Sequence, residues 1–496
     1  VVFVCYKIHG YLFVCKIIFY YIQMGITKKN KIKKRYTCKN LPSFPNRLIN
    51  GKIISKKQGW ITAHIWGNPF DRGFAHGVLL HKELQKVVDE FSFTIETEFH
   101  IPLDEYIQIC KDLIEPIMQR DYPEFYEELV GISQGAFYKG VIIQIDSLIA
   151  WNAVLSMYTY FENNWKDDKK KFYQDNNSAV KKESFGRCSA FIATGKSTQD
   201  GKIVMGHNTH TYLGYAHFQN LQLYITPEKG IPFVMQTSPG YIASGMDWFI
   251  CKSGIIGCET TISNITYKVD FGAPYFCRIR QAMQYGKTLN DYVDIMLKDN
   301  AGDYACSWLL GDIGTNEIMT LDIGLKKHAI RRTMNGVFYG MNTPLDYDLR
   351  VLETADKTLF DLNTSSGARN FRLNQLLNND YYGKINLENA KTILSDHFDP
   401  TENKQIMNSY GICRHSELSA NKTNKKKSYL PYGCTDGKVV NSELARKMMF
   451  IGRFGSCCGR VFHADEFLKK HSQYKKWRGH LQDLPKTDWI TIQKKG

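Results

Sequence analysis

The rhythm of apolar and polar positions changes repeatedly along this chain, and each change marks an element. Residues 60–66 read as a short strand. After a glycine-punctuated stretch at 67–77, apolar side chains recur at Leu79, Leu80, Leu84, Val87 and Val88 with helical spacing, and the region 59–161 is mainly helical. Residues 163–183 are almost wholly polar and charged, which predicts an exposed connector within reach of proteases.

Beyond the connector the period becomes strand-like. Residues 189–194, a turn at Asp200-Gly201 and residues 203–205 predict a β-hairpin, with further strands at 221–225, 233–236 and 254–262. Helix is expected over 279–297, strands within 308–324, and helix again at 369–377 and 387–397. Strands and helices in alternating blocks point to sheets packed together under helical layers, an α+β architecture. No internal repeat is apparent.

Residues with chemistry collect at predicted strand ends. Gly186-Arg-Cys-Ser-Ala-Phe191 sets Cys188 at the start of an apolar strand directly after the connector. By pattern alone, such a cysteine is ordinarily a small core residue. The returning arm ends in Gly206-His-Asn-Thr-His210, whose histidines serve equally well as a satisfied sheet edge. Gly257-Cys-Glu-Thr-Thr-Ile262 and Tyr339-Gly-Met-Asn-Thr-Pro344 close two further strands with hydroxyl and amide groups, and strand ends converging on one edge favour a site.

In this order the segments resemble the phospholipase B-like proteins and their relatives, the penicillin acyltransferase-type cysteine hydrolases. The likeness runs from about Gly59 to the C-terminus through residues 67–77, 188–194, 200–209, 259–262, 300–311, 342–344, 365–373 and 436–439. It implies a four-layer αββα sandwich of N-terminal-nucleophile hydrolase type, whose precursor cuts itself between Arg187 and Cys188 into two chains that stay associated. Cys188 would then carry a free α-amine, ordinarily titrating at about 7.7–8.0, as the base for its own thiol.

The same resemblance implies a thioester acyl-enzyme resolved by water, or by an amine or thiol in acyl transfer. Asn342 would donate to the oxyanion, with a backbone N–H near Thr260 or Thr261 as a second donor. His207 falls where the family has a site histidine, next to Asn208. His210 stands where animal relatives often have tryptophan, which leaves its role open. Thr260 fits a site threonine better than Thr261. Arg369 falls near a family arginine, and a sheet-anchoring ion pair is the alternative for it. The substrate implied is an acyl lipid or N-acyl amide, with peripheral membrane contact and no cofactor. A silent lipid- or peptide-binding homologue is the rival reading.

Composition adds bounds. At 496 residues and 43% hydrophobic content the chain can bury a large core. Its formal charge of +15 gathers at Lys28, Lys29, Lys31, Lys33 and Lys34, at Lys169, Lys170 and Lys171, and at Lys425, Lys426 and Lys427. These runs have polar neighbours and no nucleic-acid motif, so solvated loops are expected and no nucleic-acid partner. The 13 cysteines lack paired C-x-x-C spacing, so no metal site is expected; Cys457 and Cys458 read as buried free thiols, with a vicinal disulfide or pairing elsewhere as the alternatives. Asn176, Asn264, Asn363 and Asn421 head glycosylation sequons.

The expected organisation is an N-terminal segment 1–58, a helical region 59–187 ending in the linker 163–187, and a catalytic chain 188–496 that forms one domain with 59–162. Residues 1–24 are apolar but interrupted by Lys7, His9 and Lys16, which speaks against a comfortable membrane span. They read either as a signal anchor or as upstream translation before Met24, and a secreted, lysosomal-like or membrane-anchored location depends on which.

Overall fold

The structure, a computed structural model, describes residues 3–7, 13–17, 48–165, 187–356, 358–420 and 428–494. The lysine runs, Asn176, Asn421 and residues 166–186 of the connector lie outside the described residues, as does most of the apolar stretch 1–24. Two compact units are present, Val1–Arg47 and Leu48–Gly496. In the first, β1 (Phe3–Lys7) pairs with β2 (Phe13–Ile17) as an antiparallel hairpin. No helix of the described residues is long and apolar enough to cross a membrane.

The second unit is a four-layer α+β sandwich. Its larger sheet has nine strands in the order β13-β12-β11-β10-β9-β8-β7-β4-β3. These are β3 (Gly51–Lys57), β4 (Trp60–Gly67), β7 (Leu221–Pro227), β8 (Phe233–Thr237), β9 (Trp248–Cys251), β10 (Ile255–Thr261), β11 (Cys306–Asp312), β12 (Glu317–Ile323) and β13 (His328–Thr333). The smaller sheet has six strands in the order β14-β5-β6-β17-β18-β19. They are β5 (Cys188–Thr194), β6 (Val204–Tyr212), β14 (Gly336–Gly340), β17 (Tyr432–Asn441), β18 (Phe450–Phe454) and β19 (Ile490–Ile492). A short outlying hairpin joins β15 (Phe398–Asp399) to β16 (Lys404–Gln405).

Strand alternation in β5 builds two cores from one element. Ala190 and Ile192 pack with Met205 and Ile256 between the sheets. Phe191 and Ala193 face the other way, against Leu373, Leu377 and Ala390 of the outer helical layer. That layer includes the helices Ser365–Gln375 and Leu387–Leu394. Cys188, two residues before Ala190, therefore belongs to the inter-sheet face, and Ser189 to the helical face.

Six helices precede β5: α1 (Pro69–Leu79), α2 (His81–Phe99), α3 (Leu103–Asp121), α4 (Pro123–Tyr138), α5 (Ile145–Asn152) and α6 (Val154–Thr159), of which α1 packs against β3 and β4 of the larger sheet and α4 packs on α1. Asn68 caps α1 by accepting from the Asp71 N–H at 2.8 Å, with Pro69 at the first helical position. The glycine-rich segment is a packing device. A Cβ at Gly73 or Gly77 would strike the carbonyls of Glu128 and Ile132 in α4, and one at Gly131 or Gly135 would strike those of Phe70 and Phe74 in α1. The two helices thus touch backbone to backbone. Buried Glu128 beside this contact takes Arg72 Nε at 2.6 Å and Arg280 Nη2 at 2.8 Å, so its charge is paired on both sides.

The predicted hairpin 189–205 is present as β5 and β6, and the strands expected at 221–225, 233–236 and 254–262 correspond to β7, β8 and β10. The single helix expected over 279–297 is instead two, Tyr275–Tyr285 and Leu289–Leu297. The break follows from Gly286 at the first C-terminus and from Thr288, which forms a capping box with Asp291 at the second N-terminus.

Candidate active site

Register decides which candidates meet. In the β5–β6 ladder Cys188 lies opposite Thr209, Ser189 opposite Asn208 and Ala190 opposite His207. Opposed residues share a face, so Cys188, His207 and Thr209 point between the sheets, while Asn208 and His210 point to the outer layer. Hydrogen bonds agree with this division. Asn208 Nδ2 donates to the carbonyls of Leu394 and Ile412 at 3.2 and 3.0 Å, its Oδ1 accepts from the Ser189 N–H at 3.0 Å, and His210 Nε2 meets Ile412 O at 3.1 Å.

Around Cys188 three groups converge. Its thiol faces Asp247 Oδ2 at 3.8 Å, and one donor atom each of Cys188, His207 and Asp247 lie within 4.8 Å of one another. His207 Nε2 is 3.0 Å from Glu259 O, while its Nδ1 is enclosed without a partner. On the neighbouring strand β17, Lys438 lies opposite His207. Its ammonium is wholly buried, 2.7 Å from Asp436 Oδ1 and Gln236 Oε1 and 2.9 Å from Thr209 Oγ1.

The electrostatics follow from burial. Burial, with Asp247 and Glu259 nearby, pushes the Cys188 thiol well up, so it holds its proton. Burial likewise raises Asp247 to about 7, against the pull of Glu259's hydrogen bond and of the Lys438 and Arg187 charges. Glu259 is raised by burial and by the adjacent Asp247, so the two carboxyls share a proton at neutral pH. His207 is pushed down by burial and Lys438 and stays neutral.

Arg369 reaches the site from the Ser365–Gln375 helix. Its Nη1 donates to Cys188 O at 2.6 Å and Ser189 Oγ at 2.9 Å, and its Nη2 to Met341 O at 3.1 Å and Asn342 Oδ1 at 2.8 Å. It has no acid partner among these contacts, so the alternative of an ion pair is replaced by a fork on backbone and amide oxygens. Asn342, at φ 84 just past β14, donates through Nδ2 to Thr261 O at 2.9 Å, which leaves its second amide N–H for other work. Thr260 Oγ1 is buried without a partner against Gly340, and Thr261 Oγ1 bonds the Tyr304 hydroxyl.

A cavity of about 70 Å³ opens on Cys188. Trp151, Leu155, Tyr158, Phe218 and Met246 give it apolar walls, while Glu98, Arg187 and Asp247 bring charge to its floor. Asn342, Thr260 and His207 are not among its lining residues. Arg187 stacks on Tyr158 with its guanidinium 3.9 Å from the ring centroid, and lies 3.9 Å from Glu98 Oε2. Its carbonyl accepts from the His210 backbone N–H.

Asp247 escaped the sequence reading. It follows Gly245-Met246 in a connection between strands, holds φ 57, and joins the site only through the chain's return beside β5. Lys438 lay inside the resemblance segment 436–439, but burial of its charge is a tertiary fact that no local pattern carries.

No family model matches the sequence. A protein of Archaeoglobus fulgidus described as uncharacterized is 25% identical over 294 residues, covering 57% of this chain and 46% of its own length. The chain thus spans about half the length of that relative. Among solved structures, a mutant of the conjugated bile acid hydrolase from Clostridium perfringens aligns at 11% identity and a TM-score of 0.29, over 54% of this chain and 89% of that one. A penicillin V acylase from Agrobacterium tumefaciens aligns at 10% identity and a TM-score of 0.28, over 53% and 82%.

Proposed function

We propose that this chain is the precursor of an N-terminal cysteine hydrolase of the phospholipase B-like kind, which cleaves a linear amide or ester bond to an acyl chain after maturing at Arg187–Cys188. One observation carries the reading: the Cys188 thiol stands at the wall of an apolar cavity with Asp247 at 3.8 Å, while the preceding carbonyl is already held by a backbone N–H.

Maturation follows from those contacts. The Cys188 sulfur attacks the Arg187 carbonyl carbon as its proton passes to Asp247 Oδ2, and the His210 N–H bears the developing oxyanion. The C–N bond breaks, the Cys188 nitrogen takes a proton to become an amine, and a thioester joins Arg187 to the sulfur. Water hydrolyses that thioester, which frees the thiol and the Arg187 carboxylate.

The released amine then serves as base for its own sulfur, which attacks a substrate carbonyl to give an acyl-enzyme that water resolves. Arg369 is a positioning residue that fixes Cys188 O and Asn342 together. The free N–H of Asn342 is the side-chain donor for the oxyanion. The apolar walls favour an acyl chain in the cavity, and Glu98 and Tyr158, which contact Arg187, offer partners for a polar head.

A panel of N-acyl amino acids and lysophospholipids of one acyl length tests the assignment. Fatty acid release by the matured enzyme, absent in Cys188→Ser at equal fold stability, is expected. No release from any member by processed protein would contradict it.

A further inference from the structure

Away from the active site, His397, Cys413, His415 and Cys458 bring one donor atom each within 4.8 Å of one another. His397 follows the Leu387–Leu394 helix, Cys413 and His415 lie on the strap leading to β17, and Cys458 follows β18. Only Cys413 and His415 are close in sequence, one residue apart, while His397 and Cys458 come from distant segments, so no C-x-x-C spacing announces the cluster. We propose that these four side chains form a structural zinc site that fastens the strap to the smaller sheet.

Zinc takes two thiolates and two imidazoles tetrahedrally, with Zn–S about 2.3 Å and Zn–N about 2.0–2.1 Å, which makes the N···S edge of the tetrahedron roughly 3.6 Å. His415 Nε2 lies 3.5 Å from Cys413 Sγ and 3.5 Å from Cys458 Sγ. Two edges of the coordination figure are therefore already in place.

The surroundings fit a metal as well. His415 Nδ1 meets Glu417 Oε1 at 2.8 Å, the carboxylate–imidazole contact that orients a ligand histidine and fixes which nitrogen faces the ion. His397 Nε2 is enclosed and makes no hydrogen bond. All four sulfurs of this corner, Cys413, Cys434, Cys457 and Cys458, are free thiols, with Cys434 and Cys457 3.4 Å apart beside the cluster. Binding releases the protons of Cys413 and Cys458, so the ion's two charges are cancelled and a neutral unit is buried.

The site also has a structural consequence. Ile412, directly before Cys413, supplies the carbonyl on which both Asn208 and His210 rest. A metal on Cys413 holds that acceptor still beneath β6, independently of what the active site hydrolyses.

Metal analysis of purified full-length protein by mass spectrometry tests the proposal. About one zinc per chain is expected, lost in Cys458→Ser and in His397→Ala but kept in Cys434→Ser, and Glu417→Gln should weaken zinc affinity about 10- to 100-fold. Where a ligand variant does not fold, Co²⁺ added to chelator-stripped wild type should give thiolate charge-transfer and tetrahedral d–d bands. Wild type without zinc that also gives no such bands, a Cys413–Cys458 disulfide recovered by peptide mapping, or zinc retained by folded Cys458→Ser would each overturn the site.

Discussion

Arg369 donates to the carbonyl oxygen of Cys188 at 2.6 Å and to Asn342 Oδ1 at 2.8 Å, so a single buried guanidinium couples the strand that bears the thiol to the turn that bears the amide. Lysine has one nitrogen and cannot span both. Arg369→Lys should therefore strand buried acceptors and cost about 3 kcal/mol or more of stability, with hydrolysis falling more steeply than folding. Urea unfolding of the variant checks this, and an unmoved midpoint would count against the fork.

Strand parity separates the two histidines. His207→Ala removes a neutral imidazole beside the thiol and should slow maturation or hydrolysis by about 10²-fold or more. His210→Asn removes an anchor to Ile412 O on the other face and should lower thermal stability while leaving the rate of properly folded enzyme within a few-fold. Equal rate losses in both, measured on matured protein, would show that the two faces are not functionally distinct.

Asp247 gives the protein a pH signature. Its carboxyl, raised by burial to about 7, holds more proton in the native than in the unfolded state across the window from its ordinary value near 3.8 up to 7. Stability therefore falls as pH rises through that window and levels off above it. Asp247→Asn removes this carboxyl's part of the loss, so its advantage over wild type should grow as pH rises from about 4 to about 8, while Glu259, also raised by burial, keeps its own part. Denaturant titrations across the range measure it. The same variant should mature slowly at every pH, since the proton acceptor is gone.

The helix crossing of α1 and α4 depends on glycine at the contact. Gly73→Ala and Gly135→Ala each push a methyl into a carbonyl of the facing helix and should destabilise by about 1–3 kcal/mol, with the cavity chemistry affected only through folding. Thermal melts of the two variants decide the matter.

Much of this was readable from residue order. The hairpin that carries Cys188 and His207 follows from the switch to strand period after the polar connector, and Arg369 and Asn342 came from the resemblance of short segments in register. Three features were not readable. Asn208 and His210 sit among the same few residues as His207, and only the register against β5 turns them away. Asp247 is one aspartate in an irregular connection. The His397, Cys413, His415 and Cys458 cluster draws on segments that only the tertiary fold brings together, so its members look like unrelated core residues in the sequence.

N-terminal sequencing of the purified protein tests the central claim most directly. The account requires a large fragment that begins Cys-Ser-Ala-Phe in wild type, and a chain left whole at residue 187 in Cys188→Ala. Wild-type protein that is active yet uncut between Arg187 and Cys188, or a Cys188→Ala chain cut at that same bond during self-incubation, would contradict it.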